Sequence, residues 1–177
     1  MKKQGKTYIV PHRRRREGRT NYRKRLALLK SGRIRFVVRK SGNNMVCQMI
    51  EHDSKGDKTL LTVNALHLKK LGWKAGTGNI PSAYLTGLLC GIKAKKMKIK
   101  KAVLDTGVVS PTRGSRIYAS LKGALDAGVD IPCSEEIFPS DERIAGKHIA
   151  SYIKKYSDLP QHFEEIKRKI LELNGRK

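Results

Sequence analysis

Along residues 34–40, IRFVVRK, the apolar side chains Ile34, Phe36 and Val38 alternate with Arg35 and Arg39. That is the period of a strand with one buried face, and it puts both arginines on the polar side. Ser41-Gly42-Asn43-Asn44 follows, a turn rich in residues that tolerate positive φ, and Met45 to Glu51 reads as the return strand. Asp53 to Asp57 (DSKGD) is a second turn signal, after which Thr59 to Val63 makes a third strand. The three predict an antiparallel meander.

The period changes on either side of it. Upstream, Tyr22, Leu26 and Leu29 fall at helical spacing, with Thr20 as the candidate N-cap and Gly32 as the stop. Residues 1–19 show no apolar period and crowd like charge around Arg13 to Arg16, so alone they are expected to be disordered and to order only on an anionic surface. Downstream, Asn64 to Gly72 is briefly helical, and Trp73 to Asn79 is a glycine-rich loop. Pro81 then opens a helix to about Met97 with Tyr84, Leu85, Leu88, Leu89 and Ile92 as its stripe. A strand at Ala102 to Leu104, a helix from about Ser115 to Ala127 capped by Gly128, and an extended piece at Val129 to Pro132 complete this part. Ser140 to about Tyr156 reads as one helix on Ile144, His148, Ile149 and Tyr152, and Asp158 is placed to cap a last one carrying Phe163, Ile166 and Ile170.

A meander followed by strand-to-strand crossovers predicts an α/β layered fold, a mixed sheet with helices on its faces. The expected division is a basic arm with a short helix at 1–33, an α/β core at 34–133 and a helical extension at 134–177.

Charge sharpens this picture. The 177 residues carry 39 Lys and Arg against 15 Asp and Glu, a net +24. Such a surplus self-repels unless a polyanion neutralises it, and nucleic acid is the commonest polyanion in a cell. Residues 1–40 hold sixteen of the basic side chains and a single acid, Glu17, so the arm is the most cationic part. Cys47, Cys90 and Cys133 form no close pair and read as reduced, mostly buried thiols of a cytosolic protein. The most apolar run, Ala83 to Ile92, is too short to span a bilayer, and the N-terminus has no signal-peptide core. No membrane association is expected, and the chain is expected to remain where it is made.

Several short motifs invite a catalytic reading. Asp105-Thr106-Gly107 at the end of an apolar run is how aspartic proteases present a carboxylate, but that chemistry needs two carboxylates sharing one proton, and this triplet occurs once between helices. The alternative is that Asp105 hydrogen-bonds backbone amides where a strand ends, with Gly107 supplying an unusual φ. Two-metal nuclease chemistry needs several convergent carboxylates; IRFVVRK has none, and Glu51 and Asp53 sit beside a turn. The loop AGTGN is either a turn before a helix cap or a set of amides for a phosphate, and it is neither a Walker loop nor a dinucleotide fingerprint. The five histidines lack zinc spacing, so neither metal nor other cofactor is expected. Gly87-x-x-x-Gly91 reads as helix-on-sheet packing.

The segment HRRRREGRTNYRKR, His12 to Arg25, combines arginine forks that match phosphate geometry with Tyr22, placed either to stack on an unpaired base or to pack below its helix. This favours nucleic-acid contact over a merely solvated face. Composition alone leaves three classes: an RNA-binding structural protein, a small nuclease or protease using Asp105, and an unspecific chaperone or DNA-compacting protein.

The runs RRRREGRTNYRKRLALLKSG, RFVVRKS, GNIPSAYLTGLLCGIKAKK, VLDTGVVSPTRGSRIYASLKGALDAGVDIPCSEEIFP and DERIAGKHIASY, in this order, closely resemble the family of large-subunit ribosomal protein eighteen in its archaeal form, which is similar to the eukaryotic protein that carries 5S rRNA. The resemblance implies a non-catalytic, cytoplasmic protein of the ribosomal central protuberance, with a ribonuclease-H-like core fold of the translational machinery. Its implied partners are 5S rRNA, 23S rRNA and neighbours such as universal large-subunit protein five, with no small-molecule substrate. Carried over motif by motif, it implies RNA contacts at Arg13, Arg14, Arg15, Arg16 and Arg19, at Tyr22, Arg23 and Arg25, and at Arg39, Lys40, Ser41, Asn43 and Asn44. Thr77, Asn79, Thr112, Arg113, Ser115 and Arg116 complete the set.

Overall fold

In the computed structural model, which describes residues 5 and 7–175, the alternating run becomes the central strand β1 (Ile34–Lys40). It pairs antiparallel with β2 (Met45–Asp53), which pairs antiparallel with β3 (Gly56–Asn64); β4 (Ala102–Asp105) lies parallel to β1 on its other side. The order β3-β2-β1-β4 is the mixed sheet that the meander and crossover predict. Phe36 faces Met49 on one neighbour and Leu104 on the other, and Val38 faces Cys47. The second and third strands of the meander, β2 and β3, run longer than expected because the turn between them is tight: the Asp53 carboxylate accepts from the Ser54 amide at 2.6 Å, and Gly56 takes φ +145°. The extended piece after residue 128 adds only a single bridge, Lys101 to Asp130, to this sheet.

Before the sheet come α1 (Arg13–Arg16) and α2 (Tyr22–Lys30). Part of the segment expected to be disordered is therefore a helical turn. Beside it Glu17 approaches Arg13 at 3.5 Å and Arg19 at 3.1 Å and offsets part of the local repulsion. The N-cap of α2 is Asn21 rather than Thr20: Asn21 accepts from the Lys24 amide at 3.1 Å, while the Thr20 hydroxyl accepts from Arg14 Nε at 2.9 Å. Gly32, with φ +62°, ends the helix as expected.

After the sheet come α3 (His67–Lys70), α4 (Ile80–Lys96) and α5 (Arg116–Asp126). The stripe predicted for α4 is too narrow, since all its faces are buried, including Ser82, Thr86 and Cys90. A helix apolar all round belongs in an interior, and α4 lies among the sheet, α5 and the C-terminal helix. Ser82 and Thr86 turn their hydroxyls onto the carbonyls of Asn79 and Ser82, so their burial strands no donor. Gly87 does not serve packing against the sheet; it faces the backbone of Ser120 on α5, and Gly123 of α5 faces the Tyr84 carbonyl. Only residues without Cβ allow this approach.

The helix expected at 140–156 is broken into α6 (Asp141–Ala145), α7 (Lys147–Tyr152) and a 3-10 turn (Lys154–Tyr156). Gly146 interrupts it at φ +83°, pressed so closely on Pro81 and Leu159 that a Cβ would lie 3.0 and 2.9 Å from their side chains. The last helix, α8 (Leu159–Gly175), buries Phe163, Ile166 and Ile170 in the same core as Phe36, Leu85 and Leu88. Each such side chain contributes roughly 1.5–3 kcal/mol by leaving water, and the apolar core runs without a break from the sheet into the C-terminal helices.

Candidate nucleic-acid interface

Three stretches distant in sequence meet at the β1–β2 end of the sheet. The Ser41–Asn44 turn is closed by the Ser41 amide donating to the Asn44 carbonyl at 2.9 Å. The loop before α4 is laid against it: Thr77 Oγ1 donates to the Asn43 carbonyl at 2.6 Å, and the missing side chain of Gly78 leaves room for Gly42 and Asn43. Arg116, at the start of α5, fastens both, donating from Nη1 to the Gly42 carbonyl at 3.0 Å and the Gly78 carbonyl at 2.6 Å. Ser41, Gly42 and Asn43 remain exposed, while Thr77 is buried and Asn79 is occupied in capping α4 by accepting from the Ser82 amide at 2.9 Å.

Thus five of the candidate RNA residues, Ser41, Asn43, Thr77, Asn79 and Arg116, come together in one corner, and Lys40 and Asn44 flank the turn. Thr112 and Arg113 lie exposed in the segment leading into α5, where Arg113 approaches Glu136 at 3.3 Å. Both partners are so exposed that the pair contributes little. Ser115 precedes α5, and its buried Oγ has no hydrogen-bond partner among the described residues.

A second group lies on the sheet face opposite α4, beneath α2. That helix has no buried residue and is held by polar ties: Lys24 Nζ donates to Thr106 Oγ1 at 2.8 Å and Arg25 Nη2 to Asp57 Oδ1 at 2.9 Å. Tyr22 and Arg23 stay exposed on it, with the Tyr22 ring 5.4 Å from that of His12. The arginines of α1, with Arg19, are exposed beside them.

Arg35, expected on a polar outer face, is 3% exposed. The alternation is real, but α2 covers the second face as well. Its guanidinium lies 3.0 Å from Asp105 Oδ2 and 2.7 Å from Asp57 Oδ2. Arg39, half-exposed, donates to the Asp105 carbonyl at 2.8 Å and approaches its carboxylate at 3.4 Å. Asp105 also accepts from the Gly107 amide at 2.7 Å, with Gly107 at φ +66°, as the strand-end reading expects. Its oxygens therefore meet arginines and an amide rather than a second carboxylate. Partial burial opposes ionisation of Asp57, yet the hydrogen bonds and charges of Arg25 and Arg35 outweigh it and hold its carboxyl down at about 2.

The thiols divide by position: Cys47 and Cys90 are buried and Cys133 is exposed, and burial pushes Cys47 up to about 12. Among the described residues no three His, Cys, Asp or Glu side chains gather as a metal site would require, and no helix is long and apolar enough to cross a membrane.

Sequence reasoning missed Arg35 and the clamping role of Arg116, because their partners are 22 to 74 residues away. A layered α/β body with an arginine-lined sheet face, a cationic arm and its central carboxylates paired with arginine is a scaffold for a polyanion. Residues 6–102 and 92–134 match the family model described as ribosomal large subunit proteins 60S L5 and 50S L18, and the chain belongs to that family. It is accordingly a structural constituent of the large subunit of the cytoplasmic ribosome, in contact with rRNA and other ribosomal proteins.

Proposed function

We propose that the chain binds 5S rRNA and helps attach it to 23S rRNA in the central protuberance, beside universal large-subunit protein five, and that it performs no catalysis. The observation that carries this reading is the arm, where Arg13, Arg14, Arg15 and Arg16 are all exposed and, among the described residues, Glu17 is the acid that pairs there, with Arg13 and Arg19. In this reading the arm and the α2 face at Tyr22, Arg23 and Arg25 contact phosphates and unpaired bases. Arg39, Lys40, Ser41, Asn43 and Asn44 follow the backbone along the strand end, with Thr77, Asn79 and Arg116 completing the corner and Thr112, Arg113 and Ser115 adding contacts from the segment leading into α5. Arginine supplies the planar donor pairs that phosphate oxygens accept.

Binding to 5S rRNA measured across a salt series tests this. Each neutralised phosphate contributes roughly 0.7 to 0.9 to the slope of log affinity against log salt. A steep slope, with preference for 5S rRNA over transfer RNA at physiological salt, is expected; salt-independent binding or no preference would overturn it. Replacing Arg13 to Arg16 by alanine is expected to flatten the slope by about 3.

A further inference from the structure

Between α2 and the sheet face it covers lies a cavity of about 300 Å³, the lower end of the size range of small-molecule sites. Six cationic side chains line it, Arg14, Arg19, Lys24, Arg25, Arg35 and Arg39, against the two carboxylates Asp57 and Asp105. The other walls differ in character. Val37 and Ile50 contribute apolar surface from the sheet and Leu28 from α2, while Gln48 brings an amide that can donate and accept.

The most telling group is Arg35. It is 3% exposed, and although two of its nitrogens meet carboxylates, its Nε–H has no hydrogen-bond partner among the described residues. A buried donor left without an acceptor is rare in proteins and calls for an occupant. A surplus of guanidinium beside an apolar wall suits an anion carrying a flat, weakly polar body.

We propose that this cavity is a nucleotide site, which takes one unpaired nucleotide of the rRNA with its base against Val37 and Ile50 and its phosphate toward Arg39 and the unpaired Nε–H of Arg35. The proposal rests on the rRNA-binding reading above and adds residues that reading does not use: Arg35, Val37, Gln48 and Ile50. Unpaired bases are the parts of RNA that proteins can draw out and enclose. Because α2 has no fully buried residue and is tied to the body by Lys24 and Arg25, it can lift to admit the base and then close over it.

Two measurements on the full chain test the site. In the first, adenosine 5′-monophosphate, inorganic phosphate and adenosine are titrated separately while the Arg35 Nε–H and Ile50 methyl resonances are followed. The monophosphate is expected to shift both, phosphate to shift Arg35 alone, and adenosine to act more weakly than the monophosphate. In the second, Ile50→Trp fills the cavity without altering charge, with Gln48→Trp as an alternative should the first variant fail to fold. A folded filling variant is expected to bind 5S rRNA about ten-fold more weakly, the loss of one enclosed base.

If the unaltered chain binds 5S rRNA but the filled variants bind equally well and the monophosphate leaves Ile50 unmoved, the nucleotide site is overturned and the 5S reading stands. If phosphate reproduces the whole effect of the monophosphate, the base pocket is likewise overturned. If the chain fails to bind 5S rRNA, that broader reading falls, and the titration alone decides the cavity.

Discussion

The guanidinium of Arg116 donates to the carbonyl of Gly78 at 2.6 Å, and the same nitrogen reaches the Gly42 carbonyl at 3.0 Å. One side chain at the start of α5 thereby holds a hairpin turn and a pre-helical loop in a fixed relation. Arg116→Ala is expected to cost about 1–3 kcal/mol of stability, the usual loss when hydrogen bonds to a charged group are removed, and to weaken rRNA binding further by freeing the turn. Urea denaturation and a binding titration measure the two effects separately. Arg116→Lys should restore part of the loss, since both bonds come from a single nitrogen and an ammonium has donors for two carbonyls.

Asp105 balances Arg35 in the interior. Asp105→Asn leaves a buried guanidinium without one of its two counter-charges and is expected to lower stability by about 3 kcal/mol. The loss should shrink when Arg35→Met is added, because the uncompensated charge is then gone. A double-mutant cycle by chemical denaturation gives the coupling; simple additivity would show that the two residues do not act as a pair.

The depressed carboxyl of Asp57 gives a pH signature. Its folded value is about 2 and its ordinary value 3.8, so its contribution is complete above about 4 and lost as pH falls through 2. Stability measured between pH 5 and 2 should fall more steeply for the unaltered chain than for Asp57→Asn. Equal slopes would mean that Arg25 and Arg35 do not hold this carboxylate.

Glycines at the α4–α5 contact should be far less replaceable than those in the turn. A Cβ on Gly123 meets the backbone of Tyr84 and Leu88, which no side-chain movement relieves, whereas one on Gly42 meets nothing within 4 Å. Gly123→Ala is expected to destabilise by about 3 kcal/mol, and Gly42→Ala to stay within about 0.5 kcal/mol. Thermal melts of the two variants provide the comparison.

The sheet was legible because alternation, turn residues and strand length agreed over residues 34–63. The role of Asp105 as a strand-end hydrogen-bond acceptor was legible as well, since Gly107 is its near neighbour. What periodicity could not reveal is whether the second face of a sheet meets water: Arg35 and Arg39 share a face, yet one is buried beneath α2 and the other half-open. Nor could it reveal the break at Gly146, where a glycine at positive φ packs closely on Pro81 and Leu159. In the candidate interface, residue types pointed to phosphate, but the gathering of Asn43, Thr77 and Arg116 depends on tertiary contacts spanning 34 to 74 residues.

The glycine contacts between α4 and α5 have a consequence beyond stability. Backbone resting on backbone leaves no rotamers to adjust, so the two helix starts that carry Asn79 and Arg116 keep their separation like the jaws of a fixed gauge. An RNA that docks there must already possess the matching shape or bend to acquire it. In the proposed reading the conformational adjustment at this corner falls on the nucleic acid, and the protein acts as a template for the fold of its RNA rather than a surface moulded by it.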